Sequence, residues 1–98
     1  MADEFTVEHE DAPGYGRYVI ALPDGLEAEM TYRKLGEDVI VIDHTYTPPQ
    51  MRGRNVAALL MNAAIAGARR NGHKIVPHCS YAAAQFRRHP EWADLLSQ

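Results

Sequence analysis

The sequence has little of what several large classes of protein require. It contains one cysteine, Cys79, which excludes a disulfide within the chain and a metal site with several cysteine ligands. It has no apolar run near the ~18 residues that a membrane-spanning helix needs. Ten basic residues against 13 acidic ones give a net charge of −3, without the positive excess that nucleic acids and anionic membranes attract. We therefore expect neither nucleic acid nor membrane as a partner.

The remaining composition is that of an ordinary globular domain. With 98 residues, of which 46% are hydrophobic, the chain predicts one domain over residues 1–98 with a modest core. The segment "MADEFTVEHEDAPG" is acidic and polar, unlike a signal or transit peptide, so we expect a cytoplasmic protein. Within residues 1–14, the stretch 5–10 fits a short edge strand and a frayed terminus equally well.

Three segments predict strands, because they are rich in β-branched residues or alternate between apolar and polar. They are residues 15–22, 26–35 and 39–46. Residues 26–35 also contain helix formers, but the flanking turns favour a strand. Four consecutive β-branched residues at the start of "VIVIDHTY" indicate that the third strand is central and covered on both faces.

The periodicity then changes. Residues 54–71 predict a long helix that ends at Gly72, residues 73–79 a short strand, and residues 80–90 a second helix followed by an extra turn. The order is β-β-β-α-β-α. Because the long helix connects two strands of one sheet, these two strands are expected to be parallel, and the sheet is expected to be mixed.

The segment "QMRGRNVA", residues 50–57, lies where the central strand gives way to the long helix. Ligands of such sheets bind beyond the carboxyl ends of the strands, and the free N–H groups at a helix start favour an anion. Gly53 lets a ligand approach the backbone, and Asn55 tolerates unusual dihedral angles. Arg52 and Arg54 can pair with a phosphate. On composition alone, a turn with two solvated arginines is the simpler interpretation.

A resemblance favours the phosphate site. The stretch "HTYTPPQMRGRNVAALLMNAAIAGARRNGHKIVPHCSY" resembles the core of the GCN5-related N-acetyltransferases (GNAT), and most of all their small single-domain YjdJ-like branch. The family's phosphate-binding motif is Arg/Gln-x-x-Gly-x-Gly/Ala. Arg52 stands at its first position, Gly53 is the frequent next glycine, and Ala57 stands at its last position, but Asn55 replaces the motif's other glycine. The block Pro-x-Cys-Ser-Tyr at 77–81 is typical of the small branch.

The resemblance, which covers about residues 39–95, implies a fold and a co-substrate. It implies a minimal GNAT fold of class α/β (α+β), a mixed antiparallel and parallel sheet with two main helices. It also implies acetyl-CoA as co-substrate, without a metal, its pyrophosphate held by backbone amides of the loop. The residues that we assign to this cofactor site are Tyr46, Thr47, Arg52, Gly53, Arg54, Asn55, Val56 and Ala57.

Acetyl transfer to an amine needs a base for the ammonium proton and an acid for the leaving thiolate. Where many relatives carry a carboxylate near the end of the central strand, this chain has Tyr46, with His44 two residues earlier. Period-two alternation predicts His44 and Tyr46 on one face, and Asp43 with Thr45 on the other. Histidine is suited to act as a base near neutral pH, so His44 is the candidate base. A structural histidine bonded within the sheet is the alternative.

Cys79 follows the second parallel strand, close to where the family holds the thioester. At the start of a helix, the dipole favours the thiolate, so Cys79 is a candidate nucleophile or acid. Tyr81 is the rival proton donor, and Ser80 can be read as the N-cap of the helix. The alternative is that Cys79 is a small buried apolar residue.

We therefore expect an acetyl-CoA-dependent N-acetyltransferase whose acceptor is an amine of unknown identity. Larger relatives build much of the acceptor site from additional helices, so an open site here favours a protein or peptide amine, or completion by a second subunit. The alternative function is a non-catalytic acyl-CoA-binding or interaction module.

Overall fold

The computed structural model describes residues 5–97. Over these residues the regular elements are β1 (Val7–Ala12), β2 (Tyr15–Ala21), β3 (Glu27–Leu35), β4 (Val39–Tyr46), α1 (Val56–Asn71), β5 (Lys74–Pro77) and α2 (Ser80–Arg88). Short 3-10 helices occupy Pro23–Gly25, Pro49–Met51 and Pro90–Leu95. The predicted order is therefore confirmed, with one strand added at its start.

The added strand decides between the two interpretations of residues 1–14. Residues 7–12 form β1 at the edge of the sheet, so the edge-strand prediction is confirmed and the frayed-terminus interpretation is wrong for this stretch. Residues 1–4 lie outside the described residues. β1 turns at Gly14, which has a φ of 86°, and pairs along its whole length with β2.

The five strands lie in chain order from β1 to β5. The pairs β1–β2, β2–β3 and β3–β4 are antiparallel, and the pair β4–β5 is parallel. The predicted mixed sheet is therefore confirmed. A parallel pair cannot be joined by a tight turn. The connection here is the loop after β4 followed by α1, which places the helix N-terminus at the carboxyl end of β4.

Both helices pack on the same face of the sheet. Side chains from β2 to β5, from both helices and from the last 3-10 helix form one buried cluster, and its fully buried members include Ile20, Met30, Ile42, Leu60 and Ile75. No helix among residues 5–97 covers the opposite face, which carries charged side chains such as Arg17.

A polar cluster attaches the edge strand to the sheet at the amino-terminal end of β4. His9 and Tyr32 share a hydrogen bond of 2.6 Å, and the Tyr32 hydroxyl donates to Asp11 at 2.6 Å. Lys34 donates to the other Asp11 oxygen at 2.9 Å, and the His9 ring stacks on Tyr18 at 4.2 Å. Burial raises the pKa of Tyr32, so its hydroxyl remains a donor.

Tyr18 also explains a glycine inside α1. A Cβ added at Gly67 would lie 2.5 Å from the Tyr18 hydroxyl, and the Tyr18 ring is buried under α1. Glycine inside a helix usually destabilises by about 0.5–1 kcal/mol relative to alanine. Here the glycine provides room for the hydroxyl.

We predict that Gly67→Ala lowers the free energy of unfolding by about 1–2 kcal/mol, because it overpacks this contact. In a Tyr18→Phe background, where the hydroxyl is absent, the same substitution should stabilise the protein. Urea unfolding of the four proteins in this double-mutant cycle measures the difference. Stabilisation by Gly67→Ala in both backgrounds would contradict the prediction.

Candidate functional site

The loop between β4 and α1 has an unusual backbone. Gly53 and Asn55 have φ values of 84° and 62°, both in the left-handed region. Asparagine enters this region more readily than other residues that have a side chain. Asn55 thus takes a conformation typical of glycine, which explains how it can stand at a motif position where glycine is expected.

This loop borders a cavity of about 320 Å³. The wall opposite the loop comes from α2. The lining residues are Thr47, Met51, Arg52, Gly53, Asn55, Val56, Ala57, Ala58, Tyr81, Gln85 and Arg88. None of these residues is acidic and two are arginines, in a chain whose net charge is −3. The cavity is therefore electropositive within an acidic protein.

Several hydrogen-bond donors at the cavity have no partner among residues 5–97. The first N–H groups of any helix lack an intrahelical acceptor, and Asn55 makes no side-chain capping bond to those of α1. The hydroxyl of Thr47 is buried and has no hydrogen-bond partner among residues 5–97. These donors, with the helix dipole and the arginines, fit a phosphate-bearing ligand.

Six of the eight residues assigned to the cofactor line this cavity, namely Thr47, Arg52, Gly53, Asn55, Val56 and Ala57. Arg52 also donates from Nε to the Thr47 carbonyl at 3.1 Å, which joins the two ends of the loop. Tyr46 and Arg54 are outside the lining. The Tyr46 side chain is 42% exposed at the end of β4.

A β-bulge in β4 changes the predicted alternation. Thr31 pairs with His44, but Tyr32 pairs with Ile42, so Asp43 is an extra residue with no partner in the register. The Thr31 hydroxyl donates to the Asp43 carboxylate at 2.6 Å. The prediction that Asp43 shares a face with Thr45 is therefore wrong, since Thr45 lies on the helix side of the sheet.

After the bulge, His44 and Tyr46 lie on the face opposite the helices. They pair with Thr31 and Glu29, which are two residues apart on β3 and so point the same way. His44 is exposed, and its ring has no hydrogen-bond partner among residues 5–97. The geometry gives no support to a histidine bonded within the sheet.

Cys79 is half-buried and caps α2. Its Sγ accepts from the Ala82 N–H at 3.4 Å and lies 3.4 Å from the Thr45 hydroxyl. The cap of this helix is therefore Cys79, and Ser80 is the first residue of the helix. The Ala82 N–H bond and the contact with the Thr45 hydroxyl hold the sulfur at the start of α2, on the helix side of the sheet.

Tyr81 is the second residue of the same helix and lines the cavity. Burial raises the pKa of Tyr81 above that of a free phenol, and the nearby charge of Arg88 opposes this effect. The phenol is therefore protonated at neutral pH and can donate a proton. Of the three catalytic candidates, Tyr81 borders the 320 Å³ cavity, while Cys79 and His44 lie outside its lining.

A larger cavity, of about 760 Å³, lies at the other end of β4 beside the polar cluster. At ~3.3 Å per strand residue it is roughly 20 Å from the loop. Its charged residues have both signs, and Asp11 and Lys34 are paired with each other. The smaller cavity is the better candidate, because its donors and cations are left for a ligand.

Two features are absent from residues 5–97. No group of histidine, cysteine and acidic side chains is arranged to hold a metal ion. No helix is long and apolar enough to cross a membrane.

Gln85 and Arg88 are cavity residues that the sequence analysis did not assign. Their spacing from Tyr81, four and seven residues, is the signal that would have found them, because residues so spaced share one face of a helix. The sequence does not say which face of α2 meets the loop.

The sequence and the fold of this chain are both similar to those of known proteins. Residues 17–95 match a family described as "GCN5-related N-acetyl-transferase". A solution structure described as "a GCN5-like putative N-acetyltransferase from Staphylococcus aureus" is similar to this chain, with a TM-score of 0.66 and 28% sequence identity. That similarity covers 92% of this chain and 87% of the other. Among curated proteins, none has a matching sequence.

The left-handed conformation of Asn55 leads to a stability prediction. Asn55→Ala should lower the free energy of unfolding by about 1 kcal/mol. Alanine is strained in the left-handed conformation, because it has a Cβ but lacks the short polar side chain that lets asparagine adopt this conformation. Asn55→Gly should stay within about 0.5 kcal/mol of the parent. Urea unfolding compares the two variants, and an alanine variant as stable as the glycine variant would contradict this conformation.

Proposed function

The chain belongs to the GCN5-related N-acetyltransferase family, and we propose that it transfers an acetyl group from acetyl-CoA to an amine. The observation that carries the proposal is the cavity at the start of α1. Two arginines line it and no acidic residue does. It also contains the buried hydroxyl of Thr47, which has no hydrogen-bond partner among residues 5–97, and the start of α1, where no side chain caps the helix. Such a site favours the pyrophosphate of a CoA thioester over an uncharged ligand.

The chain's own residues supply the contacts that a CoA thioester needs. The N–H groups of Val56, Ala57 and Ala58 hold the pyrophosphate, and Arg52 neutralises part of its charge. The positive φ of Gly53 turns the backbone around this anion, and open space where a Cβ would project leaves room for it. When bound, acetyl-CoA supplies an activated acetyl group.

Tyr81 in the cavity, with Cys79 and His44 outside its lining, fits the transfer itself. In the nucleophilic route, the Cys79 thiolate attacks the thioester carbonyl, the carbon–sulfur bond to CoA breaks, and the CoA sulfur takes the Tyr81 proton. The amine then attacks the acetyl-cysteine, loses its proton to His44, and releases the Cys79 thiolate. In the direct route the amine attacks the thioester and loses its proton to His44, the carbon–sulfur bond to CoA breaks, and Cys79 or Tyr81 gives a proton to the departing sulfur.

The acceptor approaches from the sheet face opposite the helices. His44 and Tyr46 are exposed there, and the face carries the carboxylates of Glu27, Glu29 and Asp43 together with Arg17 and Arg33, which pair with them and leave a net negative charge among these five side chains. An acidic surface favours the approach of a positively charged amine. Because no helix among residues 5–97 covers this face, an amine on a protein or peptide has access to it.

Gly53 and Gly36 provide a matched test of the cofactor site. Both have positive φ, and a Cβ added at either would meet no atom within 4 Å, so alanine strains both backbones similarly. Gly36 lies in the turn between β3 and β4, at the far end of the sheet. We predict that Gly53→Ala lowers the affinity for acetyl-CoA at least about tenfold in calorimetry and that Gly36→Ala changes it less than about twofold. Equal affinities in the two variants would exclude the loop as the binding site.

The role of the thiol is tested with Cys79→Ser and Cys79→Ala. Serine is a good N-cap and keeps α2 anchored, whereas alanine removes both the cap and the thiol. If Cys79 is the nucleophile, the parent gains the mass of one acetyl group on incubation with acetyl-CoA, and both variants fail to gain it. Transfer by Cys79→Ser at the parent rate would remove any role for the thiol.

The same mass measurement separates the proposal from a non-catalytic acyl-CoA-binding module. Such a module binds acetyl-CoA but neither gains an acetyl group nor releases free CoA in the presence of amines and peptides. A panel of lysine-containing peptides and small diamines, with free CoA as the readout, covers both transfer routes.

A further inference from the structure

Three polar side chains of α2 form the wall of the cavity opposite the loop. Tyr81, Gln85 and Arg88 are spaced by four and three residues, so they lie along one face of the helix. At 1.5 Å per residue, the stripe from Tyr81 to Arg88 extends about 10 Å along the helix axis. A phenol stands at the end near Cys79, and a guanidinium stands at the other end.

Arg88 has no ion pair with any carboxylate among residues 5–97. In this it differs from Arg69, which pairs with Asp94 at 2.9 Å, and from Arg17, which bonds three glutamates. The cavity that Arg88 lines contains no acidic side chain. Its charge is therefore directed toward a space where nothing in the described chain neutralises it.

The two arginines of the cavity come from different elements. Arg52 belongs to the loop before α1, and Arg88 belongs to the last turn of α2, on the other side of the same space. A cation on each side of one cavity is suited to a ligand with more than one negatively charged group. A single cation beside the helix N-terminus would suffice for one phosphate.

We propose that Arg88 is a specificity-determining residue, which binds a phosphate of the CoA nucleotide from the side opposite the loop. The inference rests on the proposed function and goes beyond it, because it makes α2 a second anion-binding wall. Its consequence is selectivity: the site distinguishes CoA thioesters from pantetheine thioesters, which have no phosphate. The competing role for Arg88 is stabilisation of the C-terminal end of the α2 dipole.

The neighbouring Arg87 gives a matched control for that competing role. Arg87 is also exposed and also lies in the last turn of α2, but it does not line the cavity. Any effect that acts through the helix dipole or through net charge should be shared by Arg87→Gln and Arg88→Gln. An effect through a bound phosphate should appear in Arg88→Gln alone.

The experiment is calorimetric titration of the parent, Arg87→Gln, Arg88→Gln and Arg88→Lys with CoA and with pantetheine. We expect Arg88→Gln to weaken CoA binding about tenfold, Arg88→Lys to recover part of this loss, and Arg87→Gln to stay within about twofold of the parent. Pantetheine affinity should not change in any variant. The dependence of CoA affinity on salt should also be less steep in Arg88→Gln than in Arg87→Gln.

Two results would overturn the inference, and they are distinguishable. If the parent binds CoA more tightly than pantetheine but the two glutamine variants are alike, Arg88 has no such role and the proposed function stands. If the parent binds CoA no more tightly than pantetheine, both the inference and the cofactor site are wrong.

Discussion

The carbonyl of Ile42 is the point on which the arrangement of the site depends. It accepts from both the His78 and the Cys79 N–H groups, each at 3.0 Å, where the parallel ladder between β4 and β5 ends. β5 therefore stops at Pro77, Cys79 caps the next helix, and α2 begins at Ser80. The bulge at Asp43 comes directly after Ile42, so β4 separates from β5 and changes its pairing with β3 at the same place. This separation leaves residues 43–46 of β4 without a paired strand on the β5 side.

The two faces of that opening differ in charge, and the difference fits a two-substrate reaction. On the helix side, an uncapped helix start, a buried hydroxyl and two arginines favour an anion. On the other side, Glu29 is the register partner of Tyr46 and Asp43 precedes His44, and these carboxylates are paired with Arg17 and Arg33. Cys79, whose sulfur lies 3.4 Å from the Thr45 hydroxyl, caps α2 on the helix side of this opening. In the proposed reaction, this difference would hold an anionic donor on one face and bring a cationic acceptor to the other.

Much of the fold was predictable, because its signals are local. Continuous β-branched residues identify β4, the change of period identifies α1, and Gly72 ends that helix in the left-handed conformation that its position predicts. β1 was undecided because its few apolar residues give weak alternation. What holds it are non-local contacts such as the hydrogen bond between His9 and Tyr32, and local sequence does not encode these.

The candidate site can be predicted from the sequence only where a motif specifies the backbone conformation of a loop. The loop from Arg52 to Ala57 was found in this way. The bulge at Asp43 has no sequence signal, so the alternation rule assigned that side chain to the wrong face. Arg88 was missed for a different reason: its spacing from Tyr81 is visible, but the face of α2 that meets the loop is set by packing.

The most direct test of the account is the set of backbone amide shifts on titration of ¹⁵N-labelled protein with CoA. We expect the largest changes at Gly53 to Ala58, with smaller ones along the Tyr81–Arg88 stripe and none around His9, Asp11 and Tyr32. Changes concentrated at the 760 Å³ cavity, with the loop unaffected, would contradict the assignment of the start of α1 as the acetyl-CoA site.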